Sequence, residues 1–364
     1  MKEEAAAAQH QFACDSCGAA LEFQPGTTSM RCPYCGATVA IATDTDEQRH
    51  DYASYAALPH APVSSLPPFD VSCRNCGKAT QTTAIASRCP SCRGAIVVTD
   101  DLHGELKAPD GVVPFVIDNA KAATCFKEWS RTRWFAPNAF KKVGNAQSMR
   151  GGYLPHWGFD DKTTTDYVGE RGEHYYTTET YTTQENGRTV THTRQVQHTR
   201  WYPASGRVAR DFVDVLAPGV TVPDEHTLEK LGPWSAATAT SYEEEFLPGF
   251  DVPRYTVMAD AGFGVAKQEM AQVIEGDCRS DIGGDEQRVH SMTTYDRDVL
   301  FRLLLLPLWF ATYVFGGTTY SVYVNANTGK VIGQRPYSWI KIALAVLLAA
   351  VLIGGGVYLY QSSR

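Results

Sequence analysis

Eight of the ten cysteines fall into four Cys-x-x-Cys pairs: Cys14/Cys17, Cys32/Cys35, Cys73/Cys76 and Cys89/Cys92. Only Cys125 and Cys278 stand alone. A two-residue gap lets two thiolates from one tight turn face a single ion, and zinc favours four such ligands in a tetrahedron. Glycine follows three of the pairs (Gly18, Gly36, Gly77), where the backbone must turn and a side chain would crowd it. The two pairs of each set are 14 and 12 residues apart, within reach of a hairpin. Thiol–disulfide exchange and an iron–sulfur cluster are the rival chemistries, but no βαβ context surrounds the pairs. Catalytic zinc keeps an open position, whereas each set here supplies all four ligands. The expectation is two structural Zn2+ ions in two zinc ribbons, and paired thiols of this kind imply a reducing compartment.

The charge balance limits what such ribbons bind. The chain carries a formal charge of −7, and residues 1–110 hold 8 Lys/Arg against 13 Asp/Glu. Each four-thiolate zinc site adds about −2. A general phosphate-binding surface needs the opposite sign. Only the second ribbon differs locally, with Arg74, Lys78, Arg88 and Arg93 and no acidic residue between 71 and 99. Nucleic-acid contact through that patch is the alternative to protein docking.

No other stretch assembles a catalytic set. Gly77-Lys78 and Gly329-Lys330 lack the spacing of a phosphate-binding loop, and neither His-Glu-x-x-His nor Gly-x-Ser-x-Gly occurs. Asp281, Asp285, Glu286, Gln287 and Arg288 read as a helix-to-strand turn, because glycines rather than an apolar strand precede the acidic pair. His174, His192 and His198 read as exposed strand positions. The expectation is a protein that is not an enzyme. "KEWSRTRWFAPNAFKK" sets Lys127, Arg131, Arg133, Lys141 and Lys142 among Trp129, Trp134, Phe135 and Phe140. Such a stretch either lies on an anionic membrane surface or places its aromatics in the core and its charges in water.

The elements that position these residues suggest an α+β chain. Ribbon 1 covers residues 10–42 and ribbon 2 residues 71–98. The linker between them, 43–70, contains Pro59, Pro62, Pro67 and Pro68 and has a composition that does not order itself. Residues 111–336 read as a mixed domain rich in antiparallel β-hairpins. Its first helix spans Asp118–Arg133, capped by Asp118, with Ala122, Phe126 and Trp129 at helical spacing. A second spans Ala261–Asp277, with Ala266, Met270, Val273 and Ile274 on one face. Asn186-Gly187 between alternating Thr/Tyr runs signals a hairpin. Leu303–Phe315, too short to span a bilayer and broken by Pro307, reads as a buried strand, with Gly316-Gly317 turning into the next.

Residues 340–360 complete the chain as one transmembrane helix. Ile342–Tyr360 is uncharged and reaches roughly 28 Å as a helix. Tyr337, Trp339, Tyr358 and Tyr360 flank it as interfacial aromatics do. Too little sequence follows to cover its far side, so a C-terminal membrane anchor is expected. Lys330, Arg335 and Lys341 precede the span against Arg364 after it. That places the large N-terminal domain in the cytoplasm, at a bacterial inner membrane crossed once. The N-terminal "MKEEAAAAQH" carries no apolar run of a secretory signal.

Taken together, "RWFAPN", "PHWGFDD", "YVGERGEHYY", "TRWYPASGRV", "DIGGDEQRVH", "LLPLWFATY" and "VNANTGKVIGQRPYSWIK" resemble a family of bacterial membrane-anchored double zinc-ribbon proteins with TFIIB-type ribbons. Its members often carry the label primosomal protein N′ (replication factor Y), superfamily II helicase. The matching stretches cover most of residues 133–341. The ATPase motifs that label implies are missing. The resemblance implies a membrane-bound adaptor or scaffold working with phage-shock-type or SPFH proteins in envelope stress. The runner-up it leaves is a membrane-tethered, replication-associated nucleic-acid binder without helicase activity. Relatives commonly show Asn-Gly where this chain has Asn325-Ala326. Neither partner identity nor homo-oligomeric state is legible in the sequence.

Overall fold

The computed structural model describes residues 12–43, 48–58, 63, 66–73, 75–98, 106–138, 140, 149–185 and 188–362. Around the first cysteine group, β1 (Glu22–Phe23), β2 (Ser29–Arg31) and β3 (Thr38–Ala40) form an antiparallel sheet. β4 (His50–Asp51) and helix α1 (Tyr52–Ala56) follow. The second group sits among β5 (Phe69–Ser72), β6 (Ala79–Thr82), β7 (Ala84–Arg88) and β8 (Ala95–Val97). β9 (Gly111–Val112) and α2 (Asn119–Arg131) lead into β10 (Arg150–Glu185) and β11 (Arg188–Pro218). Next come α3 (Glu225–Leu231), β12 (Thr240–Ser241), β13 (Val252–Pro253) and α4 (Ala259–Ile282). β14 (Glu286–Phe315), β15 (Thr318–Asn325), β16 (Val331–Gly333) and α5 (Trp339–Ser362) close the chain. The α+β expectation holds, with both cysteine groups N-terminal and one apolar helix at the C-terminal end.

The framework is an eight-stranded sheet whose main path, β11-β10-β14-β15-β16, is antiparallel, with β4 and β9 also on β14, β9 in parallel, and β12 on β9. At 36 residues, β10 extends roughly 120 Å. Bulges at Phe159/Asp161 and Val168/Gly169 break its register. The base of the sheet is buried on both sides. On one face of β14, Phe301 and Leu303 lie under α4, while Leu305, Trp309 and Ala311 lie under the ribbons and α2. On the other, Leu304 and Leu306 meet Val113, Ala236 and Ala239, and Leu308 meets Leu228 and Leu231 of α3. Burial on both faces explains the apolar run over Leu303–Trp309; beyond it the expectation of a buried strand fails, since Thr312 and Val314 are exposed. Pro307 fits because its carbonyl accepts from Ala326 N, just past Asn325, where β15 pairing begins. The N–H it lacks would point to the same place.

The helices largely follow their sequence signals. Asp118 caps α2 by accepting from Lys121 N at 2.7 Å, and Ala122 and Phe126 are buried, with Trp129 partly so. α4 presses Ala266, Met270 and Ile274 onto Trp157, Phe159 and Tyr167. Gly262 permits this approach: a Cβ there would lie 2.8 Å from the Trp157 ring. Val273 points outward instead, 44% exposed, because the buried row of α4 runs through Ala266, Met270, Ile274 and Cys278 at four-residue spacing; the helix also extends beyond both expected ends. The Asn186-Gly187 hairpin falls outside the described residues, but Glu185 pairs with Arg188 across it. Gly316 and Gly317 take φ of 59° and 81° where Phe315 pairs with Thr318. At the other departure, Ala326 is buried and the left-handed position of the turn is Gly329, φ 76°.

The linker expectation needs correction. His50 and Asp51 pair with Phe301 and Leu300. Tyr55 lies 4.9 Å from Phe301 and Tyr52 lies 4.6 Å from Phe263, ring centre to centre. The segment does not order itself; it borrows an aromatic surface built by residues some 200 positions away.

One buried charge pair ties β11 to β14. Arg302 is 1% exposed and donates to Asp214 at 2.7 and 3.0 Å, while Arg49 from the linker bridges Asp160 and Asp214. Removing one partner of such a pair leaves an uncompensated buried charge. Asp214→Asn is expected to cost about 3 kcal/mol, read from urea unfolding in detergent. Asp211→Asn, at an exposed position of the same strand, should stay within about 0.5 kcal/mol of the parent.

Candidate metal centres and the strand arm

All four knuckles share one backbone pattern. The first cysteine's N–H bonds the carbonyl five residues on: Cys14 to Ala19 (2.8 Å), Cys32 to Ala37 (2.8 Å), Cys73 to Lys78 (2.9 Å) and Cys89 to Gly94 (2.8 Å). Its carbonyl accepts from the residue four on, which must then be left-handed. Gly18, Gly36 and Gly77 have φ of 73°, 77° and 71°. In the fourth knuckle Arg93 takes that place at φ 61°, displacing the glycine by one position.

The structure brings the eight predicted ligands together as two groups, Cys14/Cys17/Cys32/Cys35 and Cys73/Cys76/Cys89/Cys92, with all sulfurs of a group within 4.8 Å of one another. Cross-knuckle Sγ–Sγ distances are 3.5 Å for Cys14–Cys35 and Cys17–Cys32, 3.6 Å for Cys73–Cys92 and 3.7 Å for Cys76–Cys89. A tetrahedron with Zn–S bonds of about 2.3 Å has an edge of about 3.8 Å, whereas a disulfide would need about 2.05 Å. All ten cysteines are free thiols.

Their titration points the same way. The backbone amide of Cys35 holds the Cys32 thiol down to about 6. The Gly94 amide, with the Asn75 side chain, does the same for Cys92, to about 6. In Cys17, the Ala19 amide favours the thiolate, but the sulfurs of Cys32 and Cys35 overrule it and push the group up to about 12. In Cys76 the Lys78 amide is overruled by Cys92, again to about 12. Four sulfurs this close cannot all ionise without a cation among them. The donor set fits a thiophilic, tetrahedral dication, with no position left for substrate.

The ribbons are not free-standing. Cys14, Leu21, Phe23, Met30 and Cys32 share a core with Phe115, Phe246 and Phe250 of the large domain. Gly26 N donates to Phe115 O, and β7 pairs with β13 through Ala86 and Val252. Of the second ribbon's four cations, Arg88 donates to Gly249 O at 2.7 Å, Lys78 and Arg93 are exposed, and Arg74 lies outside the described residues.

The Asp281–Arg288 turn proves to be a clamp. Gly283 and Gly284 take φ of 66° and 79°. Asp281 accepts from Tyr167 OH (2.6 Å), Asp285 from His174 N (2.7 Å) and Glu286 from Thr199 Oγ1 (2.7 Å). Arg288 lies 3.7 Å over the Trp201 ring. Above this clamp β14 is gone, since its last partner on β10 is Gly172. From Glu173 to Arg200 the chain is a two-stranded arm.

That arm carries a six-residue repeat the sequence analysis missed. Glu173, Tyr175, Thr177, Glu179, Tyr181 and Thr183 face Arg200, His198, Val196, Arg194, His192 and Val190 in register. Arg194 meets Glu179 at 2.8 Å, and Tyr175–His198 and Tyr181–His192 stack at 5.3 and 5.5 Å. The three histidines taken as strand positions are members of this arm; His174 also bonds Glu286 at its root. Reading "EHYYTT" against "ETYTTQ" and "RTVTHT" against "RQVQHT" would have revealed it. Sequence gave no sign of two buried titratable groups in the sheet. Burial pushes His156 down to about 4, and burial with nearby Asp296 pushes Asp161 up to about 7.

The basic–aromatic stretch is divided. Phe140 is buried and Trp129 half-buried against the core, but Trp134 is 82% and Phe135 41% exposed. Lys141 and Lys142 lie outside the described residues. At the C-terminal end, residues Trp339–Gln361 form one helix long and apolar enough to cross a membrane, none of it buried in the protein.

The chain is similar to the uncharacterised protein YdjG of Bacillus subtilis (strain 168). The two are 24% identical over 283 residues, covering 72% of this chain and 77% of YdjG. No family model and no solved structure matches the chain.

Metal analysis of the purified protein is expected to give two zinc ions per chain, with Cys89→Ser retaining one. Because Ile85, Ala86 and Val97 of the second ribbon pack into the domain core, that variant should also unfold at lower urea than the parent. Arg93→Gly should keep both ions and gain about 1 kcal/mol by relieving the left-handed arginine. Iron in place of zinc, or one ion in the parent, contradicts the assignment.

Proposed function

We propose that this protein is a non-enzymatic scaffold held at the bacterial inner membrane by α5, with its large domain in the cytoplasm. In this reading the two groups bind structural Zn2+ and brace the base of the sheet. The ribbons' apolar sides are spent on the domain core, so docking moves from the ribbons to the arm. The observation that carries the reading is the arm's edges. Among the described residues, nothing pairs with the far edge of β11, nor, beyond Gly172, with the edge of β10 that faces away from β11. A row of unsatisfied N–H and C=O groups is a template for an added strand. The occupant is an extended segment of a cytoplasmic protein, phage-shock-type or SPFH proteins being those the sequence resemblance implies. The alternating Glu and Arg of the repeat favour a segment of mixed charge over an anionic polymer.

Nucleic-acid binding is the less favoured reading. Residues 1–110 are net acidic, and of the four cations around the second ribbon Arg88 is tied to the domain.

The test is an excision that respects register. His174 and Thr199 are cross-strand partners, so residues 175–198 can be replaced by Asn-Gly. Membrane fractionation and metal content should be unchanged, while co-purification of the phage-shock-type or SPFH protein is lost. Equal recovery of that partner removes the arm from the account. Submicromolar, steeply salt-dependent DNA or RNA binding that vanishes on reversing Lys78 and Arg93 promotes the nucleic-acid reading instead.

A further inference from the structure

α5 does not leave the domain on a free tether. Ser338 N donates to Phe135 O at 2.7 Å, and Lys341 Nζ donates to Ala136 O and Asn138 Oδ1, both at 2.8 Å. The loop after α2 is therefore bonded to the first turn of the helix. Whatever depth that turn takes, the loop must share it.

The residues that loop exposes suit such a depth. Trp134 and Trp339 are each 82% exposed, beside Tyr337 at 58% and Phe135 at 41%. Large aromatics with a polar edge concentrate at the level of lipid headgroups. Cations surround them: Lys127 and Arg131 are exposed on the same helix, Arg133 lies 5.0 Å over Trp129, and Arg335 lies 5.2 Å over Tyr337. Glu128 is the opposing charge on that helix. In water, two nearly bare tryptophans on one surface would be a costly exposure. Against a bilayer the same residues are anchors, and the lysines and arginines beside them meet lipid phosphates.

We infer that the 132–138 loop, led by Trp134 and Phe135, is a second membrane contact that lies in the headgroup region and fixes how the domain stands on the bilayer. The inference rests on the reading of α5 as a membrane span. It makes the anchor a two-point attachment: one helix through the bilayer and one aromatic loop on its surface. A rigid stance matters for a scaffold, because it sets the direction in which the arm is presented.

The experiment uses the full chain in nanodiscs containing anionic lipid, with lipids brominated near the headgroup end of the acyl chain as quenchers of tryptophan fluorescence. Trp339→Phe reports the helix and Trp134→Phe reports the loop. If both tryptophans sit at the interface, each substitution removes about half of the quenchable emission. Quenchable emission unchanged by Trp134→Phe, with a loss on Trp339→Phe, overturns the loop contact and leaves the span intact. No quenchable emission in any variant overturns the span and the loop contact together. Phe135→Ala in the Trp339→Phe background should lower the remaining quenching by loosening Trp134. An unchanged value there assigns Phe135 no part in the contact and overturns its place in the inference.

Discussion

Everything in this structure is hung on the hydrogen-bond ladder of β10. Over Arg150–Gly172 that strand pairs with β14, and over His156–Glu185 with β11, so its middle is bonded on both sides and its end on one. A one-residue slip would turn every core side chain to the wrong face. Such a slip would turn Trp157 and Phe159, now fully buried against α4, away from it. The bulges near Asp161 and Gly169 mark where the sheet changes company: the first at the Arg302–Asp214 pair, the second at the clamp beneath the arm. Past the clamp, the ladder alone holds two strands together. A two-stranded hairpin is marginal in isolation. Its two Glu–Arg and two Tyr–His cross-strand pairs, each worth roughly 0.2–1 kcal/mol, supply the local support.

The metal groups serve the same framework from below. A zinc ribbon of some 30 residues has little core of its own and usually relies on its ion to fold. Here both ribbons contribute side chains to the core that backs β14, and the second adds a strand partner for β13. Metal binding would be linked to the stability of the large domain as well as to that of the ribbons. This shared core is the observation behind our proposal that the ribbons brace the sheet.

What was legible in the sequence was local. Cys-x-x-Cys turns, the Asp118 cap, the Gly316-Gly317 turn and the uncharged C-terminal helix are each set by residues within a few positions of one another. The two groups of four cysteines could be named because a knuckle needs nothing from elsewhere to bring two sulfurs together. What was hidden was non-local. Nothing near Tyr52 announces Phe263 and Phe301 as its packing partners, so the 43–70 segment read as unordered. Val273 was placed on the wrong side because the buried positions of α4 recur every four residues from Ala266 to Ile282, a row that Val273 lies beside. The arm escaped notice for a different reason: its repeat becomes visible only when two strands are laid antiparallel in register.

At Gly172 β10 passes from a strand bonded on both edges to one bonded on a single edge, and the arm depends on that change. Residue-resolved amide hydrogen exchange of the full chain in detergent tests it directly. In an antiparallel pair, successive N–H groups point to alternate sides. Slow exchange is expected at consecutive amides within 156–172, and an alternation of slow and fast amides along 173–185. Unbroken protection through residue 185 would mean that the outer edge of the arm is already covered. Uniformly fast exchange beyond 172 would mean that the arm is not a ribbon, and either result contradicts the claim.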